Sequence, residues 1–232
     1  MMASNHLKLI KSVIPYTLPV FTGYAFLGIA FGILMSRTGL SPVWTFLMSS
    51  VVFAGALQFA GIGLLIGAFN PIAAFTLALM VNIRHLFYGL SMINHYRDMG
   101  RTKFFTIFSM ADEAFSINVA AEIPEGIKAS SFYFLVSLLC YGYWNGFSLV
   151  GHLLGSFIPP TLIGFDFVLT ALFYILFLNQ WKQSSHRPYL SLGLASTLLA
   201  LILVGKTQFL LVSMGFILLG LLILKGKRGQ HD

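Results

Sequence analysis

The sequence predicts an all-α integral membrane protein, a bundle of about seven or eight transmembrane segments, and three observations predict it. Only 9% of the 232 residues are charged while 57% are hydrophobic; a soluble domain carries about 25% charged residues. Apolar runs recur at about the 20-residue length that a helix needs to cross a bilayer. The cations (Lys8, Lys11, Arg97, Arg101, Lys103, Lys182, Arg187, Lys225, Lys227 and Arg228) gather in connections and at the ends. A net charge of +7 distributed in this way fits anchoring to an anionic membrane surface and the positive-inside bias. No basic face interleaved with aromatic residues points to nucleic acid.

The polar start "MMASNHLKLIKS" runs directly into the first apolar segment, 14–35, without a small-residue cleavage site. Two more runs follow at 42–68 and 71–93, then the basic connection "NHYRDMGRTK". Segment 104–121 leads through the acidic connection "EIPEGIK" to segment 130–158, which stops at Pro159 and Pro160. Segment 161–181, the loop "KQSSHRP" and two short segments at 189–204 and 208–224 complete the chain. Two or three of these eight segments are candidates for broken or re-entrant helices. The whole, residues 1–232, reads as a single membrane domain with a core at 14–181 and two C-terminal spans at 189–224.

The basic amino terminus, the loop at 182–187 and the basic tail all vote for the cytoplasmic side. They agree if three segments precede residue 94 and three lie between 104 and 181, which leaves the basic connection 94–103 outside, against the rule. The other solution is that one early segment does not cross. Segment 42–68 is the suspect, because "FAGALQFAGIG" is glycine-rich and carries Gln58. Two groups of three segments also fit a 3+3 inverted repeat, although the halves share no residue-level similarity. Gly28/Gly32, Gly63/Gly67, Gly142/Gly146 and Gly151/Gly155 have the spacing that lets helix backbones approach closely.

Polar groups at membrane depth carry the functional reading, since an isolated charge there costs about 2.5 to 17 kcal/mol. They are Gln58, the stretch "NIRHLFYGLS" at 82–91, and Asp112 with Glu113 in "SMADEAFSIN". Asn145 and Asp166 are lesser candidates. On a helix Arg84, Tyr88 and Ser91 share one face, and Asn82 and His85 an adjoining one. Arg84 keeps its charge and must meet an anion or water; Asp112 or Glu113 is the internal candidate. These two carboxyls project about 100° apart on a helix, so that one is free for a substrate or a proton while the other pairs with Arg84. A structural ion pair, a snorkelling Arg84 and a packing histidine at His85 are the plainer alternatives. Gln58 is interhelical glue or part of an unwound stretch whose backbone faces a ligand.

This set suits a small zwitterion: a guanidinium or half-helix N–H groups for its carboxylate, a carboxylate for its ammonium, and a Phe- and Leu-lined pocket for an apolar side chain. No enzyme is expected, because HExxH, GxSxG and GxGD are all absent. The single cysteine, Cys140, excludes an internal disulfide and a Cys-rich metal site, and no cofactor is expected.

The stretches "GIAFGILMSRTGLSP" (28–42), "FAGALQFA" (53–60), "NIRHLFYGLS" (82–91) and "ADEAFSIN" (111–118), in this order, resemble the AzlC family. These are the large subunits of bacterial branched-chain amino acid exporters, the YgaZ proteins among them. The resemblance covers most of residues 10 to about 180. It implies gradient-driven export of valine, leucine, isoleucine or similar amino acids across the cytoplasmic membrane, with a small AzlD-like membrane subunit as partner. The residues it carries over are Gln58, Asn82, Arg84, His85, Asp112 and Glu113. The readings to be weighed against it are a non-transporting assembly subunit, an exporter of another small solute and a passive channel.

Overall fold

The computed structural model describes residues 2–67, 70–158 and 187–228, with a few single positions between 170 and 182. Every regular element among them is helical. They divide into two units, Met1–Asp166 and Phe167–Asp232. Helices Leu7–Arg37, Ala129–Gly155 and Arg187–Gly205 are long and apolar enough to cross a membrane, and Pro42–Val52 and Gly55–Ile66 are shorter apolar helices. Large apolar side chains such as Phe26, Ile72, Phe104 and Phe157 stand exposed on the outside, the pattern of a lipid-facing surface.

The first unit is organised around two long helices, α1 (Met2–Arg37) and, after seven shorter elements, α8 (Ala129–Gly155). They run parallel in one register: Tyr16 meets Phe132, Tyr24 meets Trp144, and Gly28, Gly32 and Ser36 meet Phe147, Gly151 and Gly155. The glycines set this closeness. A Cβ on Gly28 would lie 2.8 Å from Phe147 Cβ and one on Gly155 2.7 Å from Ser36 Cβ, while Cβ atoms on Gly32 and Gly151 would overlap the backbones of Ser148 and Ile29. So two of the four glycine pairs seat one helix on the other. The other two do not: Gly63, Gly142 and Gly146 face open space, and Gly67 meets only a carbonyl of its own helix.

Between α1 and α8 the chain crosses in pieces. Segment 42–68 is a discontinuous helix: α2 (Pro42–Leu47), a π-helical turn (Met48–Val52), and α3 (Gly55–Ile66). The join holds Phe53 at φ 38°, a left-handed conformation costly for a bulky residue, and an extended Ala54. Backbone opened at membrane depth must be satisfied by protein, and α8 meets this stretch with one bond to its backbone and two to its side chains. Tyr141 donates its hydroxyl to the Ser50 carbonyl at 3.0 Å, Ser50 donates to Asn145 Oδ1 at 2.7 Å, and Thr45 Oγ1 lies 2.7 Å from His152 Nδ1. Asn145, a lesser candidate in the sequence, is thereby engaged in packing.

Segment 71–93 forms α4 (Pro71–Asn82) and α5 (Arg84–Met92), joined at Ile83. Segment 104–121 is broken as well, into α6 (Thr102–Phe108) and α7 (Asp112–Ala120), with Ser109, Met110 and an extended Ala111 between them. The connection 94–101 tucks Tyr96 inside, where its hydroxyl accepts a hydrogen bond from Asn118 at 2.8 Å.

The second unit contains one long helical run, α9 (Arg187–Arg228), interrupted at Gly205, whose φ of 68° leaves the helical region. Leu192 lies against Gly220, so the two arms fold back on each other. The hairpin matches the two short segments expected there. Segment 161–181, the Pro159–Pro160 stop and Asp166 lie outside the described residues, apart from the single positions noted.

Candidate functional site: two helix breaks and a polar cluster

Asp112 and Glu113 open α7, where the helix dipole favours negative charge. Their divergence on the helix sends them to different partners. Asp112 Oδ2 lies 2.7 Å from Arg84 Nη1. Glu113 Oε2 accepts a 2.6 Å hydrogen bond from the Tyr24 hydroxyl on α1. The choice left open by the sequence is settled: Arg84 pairs with Asp112. The pair is 39% exposed at both side chains, so it is not sealed inside the protein.

Tyr88, one turn beyond Arg84, stacks on Phe115 of α7 with centroids 4.3 Å apart and planes 13° from parallel, and its hydroxyl lies beside Asp112. His85 meets Tyr88 edge-on at 5.5 Å, and its Nδ1 is 3.1 Å from the Asn82 carbonyl of its own turn. Arg84, Tyr88, Asp112 and Phe115 thus tie α5 to α7. Ser91, which shares the helical face of Arg84, is exposed at the end of α5.

The adjoining face, with Asn82 and His85, opens on a cavity of about 330 Å³. Phe53 and Ala54 of the first break line it on one side, and Ile107, Phe108 and Met110 of the second on another. Both discontinuities therefore meet at one apolar chamber beside the polar face of α5. Of the residues lining it, Asn82 has its Oδ1 buried with no partner among the described residues; on the neighbouring face of α5 the same holds for Arg84 Nε and for Asp112 Oδ1 of the ion pair. An unpaired buried polar group costs about 1–3 kcal/mol and more when charged, which makes these the atoms with most to gain from a polar ligand.

Gln58 has a different setting. It is fully buried, its amide nitrogen donates to the Met48 carbonyl at 2.7 Å, and its amide oxygen accepts from Trp144 Nε1 at 2.8 Å. Every strong bond its amide makes is internal, bracing the broken helix against α8. Two residues that sequence reasoning passed over are central here, Tyr24 and Trp144, whose rings meet edge to face at 5.2 Å. The available signal was position: Tyr and Trp belong at membrane interfaces, and both fall deep within long apolar helices, where their polar atoms must find protein partners. Among the described residues no group of three His, Cys, Asp or Glu side chains is placed to hold a metal.

The family described as AzlC protein matches residues 19–158. The chain belongs to the AzlC family. Among AzlC-family relatives, the branched-chain amino acid transport protein AzlC of Bacillus subtilis is 44% identical over 216 residues, which is 93% of this chain and 85% of that one. An uncharacterized membrane protein of Haemophilus influenzae is 37% identical over 87% of this chain and 83% of its own length. The inner membrane protein YgaZ of Escherichia coli is 28% identical over 72% of each. No solved structure matches the chain. The AzlC match begins at Pro19 within α1 and ends at Ile158, just beyond α8, so it takes in both breaks, the Arg84–Asp112 pair and the Tyr24–Glu113 bond. This AzlC-family chain is a membrane protein of a transport family, not of an enzyme family.

Proposed function

We propose that this chain is the large subunit of a secondary transporter that exports branched-chain or similar hydrophobic amino acids across the bacterial cytoplasmic membrane. A small AzlD-like membrane protein is its partner, and a proton or other ion gradient drives it. The observation that carries the proposal is the chamber between two broken helices, lined by Asn82 with its unpaired Oδ1, in a chain 44% identical to a branched-chain amino acid transport protein. Broken helices around a midplane site are a recurrent transporter plan. A volume near 330 Å³ lies at the small end of ligand pockets, and its wall of Phe53, Ile107, Phe108 and Met110 suits a branched aliphatic side chain.

In this reading the polar end of the amino acid is held by Asn82, Arg84, His85, Tyr88 and Asp112. The carboxylate takes the free guanidinium edge of Arg84, and the ammonium takes the unpaired oxygen of Asp112 and that of Asn82. Glu113 with Tyr24 carries the coupling, and Gln58 holds the broken helix that forms one wall. The parallel register of α1 and α8 supports an odd number of crossings between them, hence crossing by all three intervening segments, 42–68 included. That keeps the amino terminus, the 121–128 connection, the 182–187 loop and the tail on the cytoplasmic side, with 94–103 outside. The first three segments and the next three then have opposite orientations, as an inverted repeat requires, and the bundle has eight spans in one transporter domain.

The second reading is an assembly subunit in which the Arg84–Asp112 pair only fastens α5 to α7; the satisfied amide of Gln58 and the stacked Tyr88–Phe115 rings favour it. Efflux separates the two. Inside-out vesicles are assayed for labelled isoleucine movement with this chain alone, with an AzlD-like partner, and with Arg84→Ala in each. Saturable transport that needs both chains and disappears in the inserted variant supports the transporter. Transport indifferent to the chain in every combination sinks it and leaves the assembly reading or another solute.

A further inference from the structure

A second cavity lies away from the candidate site, at the end of the bundle where α1 begins and α8 starts. It measures about 600 Å³ and is walled by Lys8 and Lys11 of α1, the turn Pro124–Ile127, and Lys128 and Ser131 at the head of α8. The turn is built for close approach. Ile127 N–H bonds the Pro124 carbonyl at 3.2 Å, and Gly126 at φ 83° sits at the turn position that needs a positive φ. Because α1 and α8 are parallel, this brings three ammonium groups from two distant stretches to one mouth. Glu125 is the single carboxylate lining it, and none of the three lysines is ion-paired among the described residues. The pocket therefore carries an excess of two positive charges.

We propose that this pocket binds the phosphate of an anionic phospholipid headgroup. The lysines supply the charge and the Ser12 and Ser131 side chains neighbour the same space. The choice of a lipid over a free phosphate rests on what flanks the lysines. Leu7, Ile10, Ile14 and Leu18 of α1 are all exposed, and they form a stripe at helical spacing that adjoins Lys8 and Lys11. An acyl chain lies along that stripe while its phosphate enters the pocket. A basic pocket between helices on the cytoplasmic side is a known way of holding acidic lipid headgroups, with about 1 kcal/mol from each basic residue. The bound lipid clips the start of α1 to the start of α8, the pair on which the rest of the unit is built.

The test is native mass spectrometry of the full chain in detergent, titrated with phosphatidylglycerol, phosphatidylcholine or inorganic phosphate. The set comprises the natural chain, Lys8→Gln, Lys11→Gln and Lys128→Gln singly and together, and the triple Lys→Arg variant. Phosphatidylglycerol is expected to bind in preference to phosphatidylcholine. Each Lys→Gln change should weaken binding by about fivefold, the equivalent of about 1 kcal/mol, and the triple Lys→Arg variant should keep it. Raising the salt concentration should weaken binding to the natural chain, a readout that needs no variant to fold. Equal binding of the two lipids, or phosphatidylglycerol binding untouched by the lysine changes and by salt, overturns the proposal. So does inorganic phosphate that binds alone and displaces the lipid at millimolar concentration, which would make the site one for a soluble anion.

Discussion

The Tyr24 hydroxyl donates a 2.6 Å hydrogen bond to Glu113 Oε2, joining the middle of the first long helix to a residue 89 positions further on, in the first turn of a half-helix. The neighbouring carboxyl, Asp112, turns the other way to Arg84. One dipeptide thus connects α7 to both α1 and α5, and the two bonds separate the roles we propose for it: Asp112 for the solute, Glu113 for coupling.

Glu113→Gln should uncouple without unfolding. The amide keeps the shape and can still meet Tyr24, but it cannot carry a proton. Counterflow of labelled leucine under no gradient is expected to persist while a pH gradient ceases to drive accumulation. Loss of both to the same extent, at normal insertion, would remove Glu113 from the coupling step. Tyr24→Phe should weaken the response to the gradient and lower the detergent melting temperature, since one hydrogen bond to a carboxyl is worth about 1.5–3 kcal/mol if the carboxyl is charged.

Arg84 and Asp112 distinguish glue from binding site. A mere fastener should survive reversal: Arg84→Asp with Asp112→Arg restores the attraction. The double variant is expected to recover insertion and thermal stability relative to either single change, yet to remain inactive in isoleucine efflux. Arg84→Lys is expected to lose at least about tenfold in efflux, because an ammonium cannot reproduce the planar fork. Full activity in the reversed pair would assign the residues to assembly.

The glycines give a paired control on the fold. Gly32→Ala and Gly151→Ala place a methyl into backbone of the opposite helix and should cost about 1–3 kcal/mol or more, as overpacking does. Gly142→Ala and Gly146→Ala meet nothing within 4 Å and should leave the melting temperature of the chain alone unchanged. If the open pair receives a partner subunit, those two changes will lower yield only when the partner is co-expressed, as co-purification would reveal.

Trp144→Phe tests the brace on the first break. It keeps most of the ring packing on Phe31 and Tyr24 but leaves Gln58 Oε1 without its donor. An unsatisfied buried acceptor costs about 1–3 kcal/mol, so melting should fall by that amount. Gln58→Leu combined with Trp144→Phe removes both ends of the bond and should recover part of the loss, apart from the Met48 carbonyl that Gln58 also caps.

Much of the membrane architecture was legible because it rests on composition and run length. The apolar runs that fall on described residues, the discontinuity of 42–68 and the two-armed end at 189–224 follow from the paucity of charge and from where glycine and polar residues interrupt the runs. The break at 109–111 was not anticipated as such: "SMADEAF" is polar, but nothing in it says whether the helix carries through or stops. The motif residues were legible as a set because ionisable groups at membrane depth are few. Their pairing was not.

The sequence by itself determined that this chain lies in a membrane, that its few polar residues at depth are the ones to watch, and that its motifs are those of the AzlC family. Local chemistry decides all of that, since the bilayer excludes charge residue by residue. Only the tertiary structure decided that Arg84 takes Asp112 and leaves Glu113 to Tyr24, that Gln58 is spent on Trp144 and Met48, and which two of four glycine pairs hold α1 to α8. These depend on how far apart helices stand and how they are rotated, quantities set by long-range packing. A residue's spacing along its own helix fixes which face it shares, but not what that face meets.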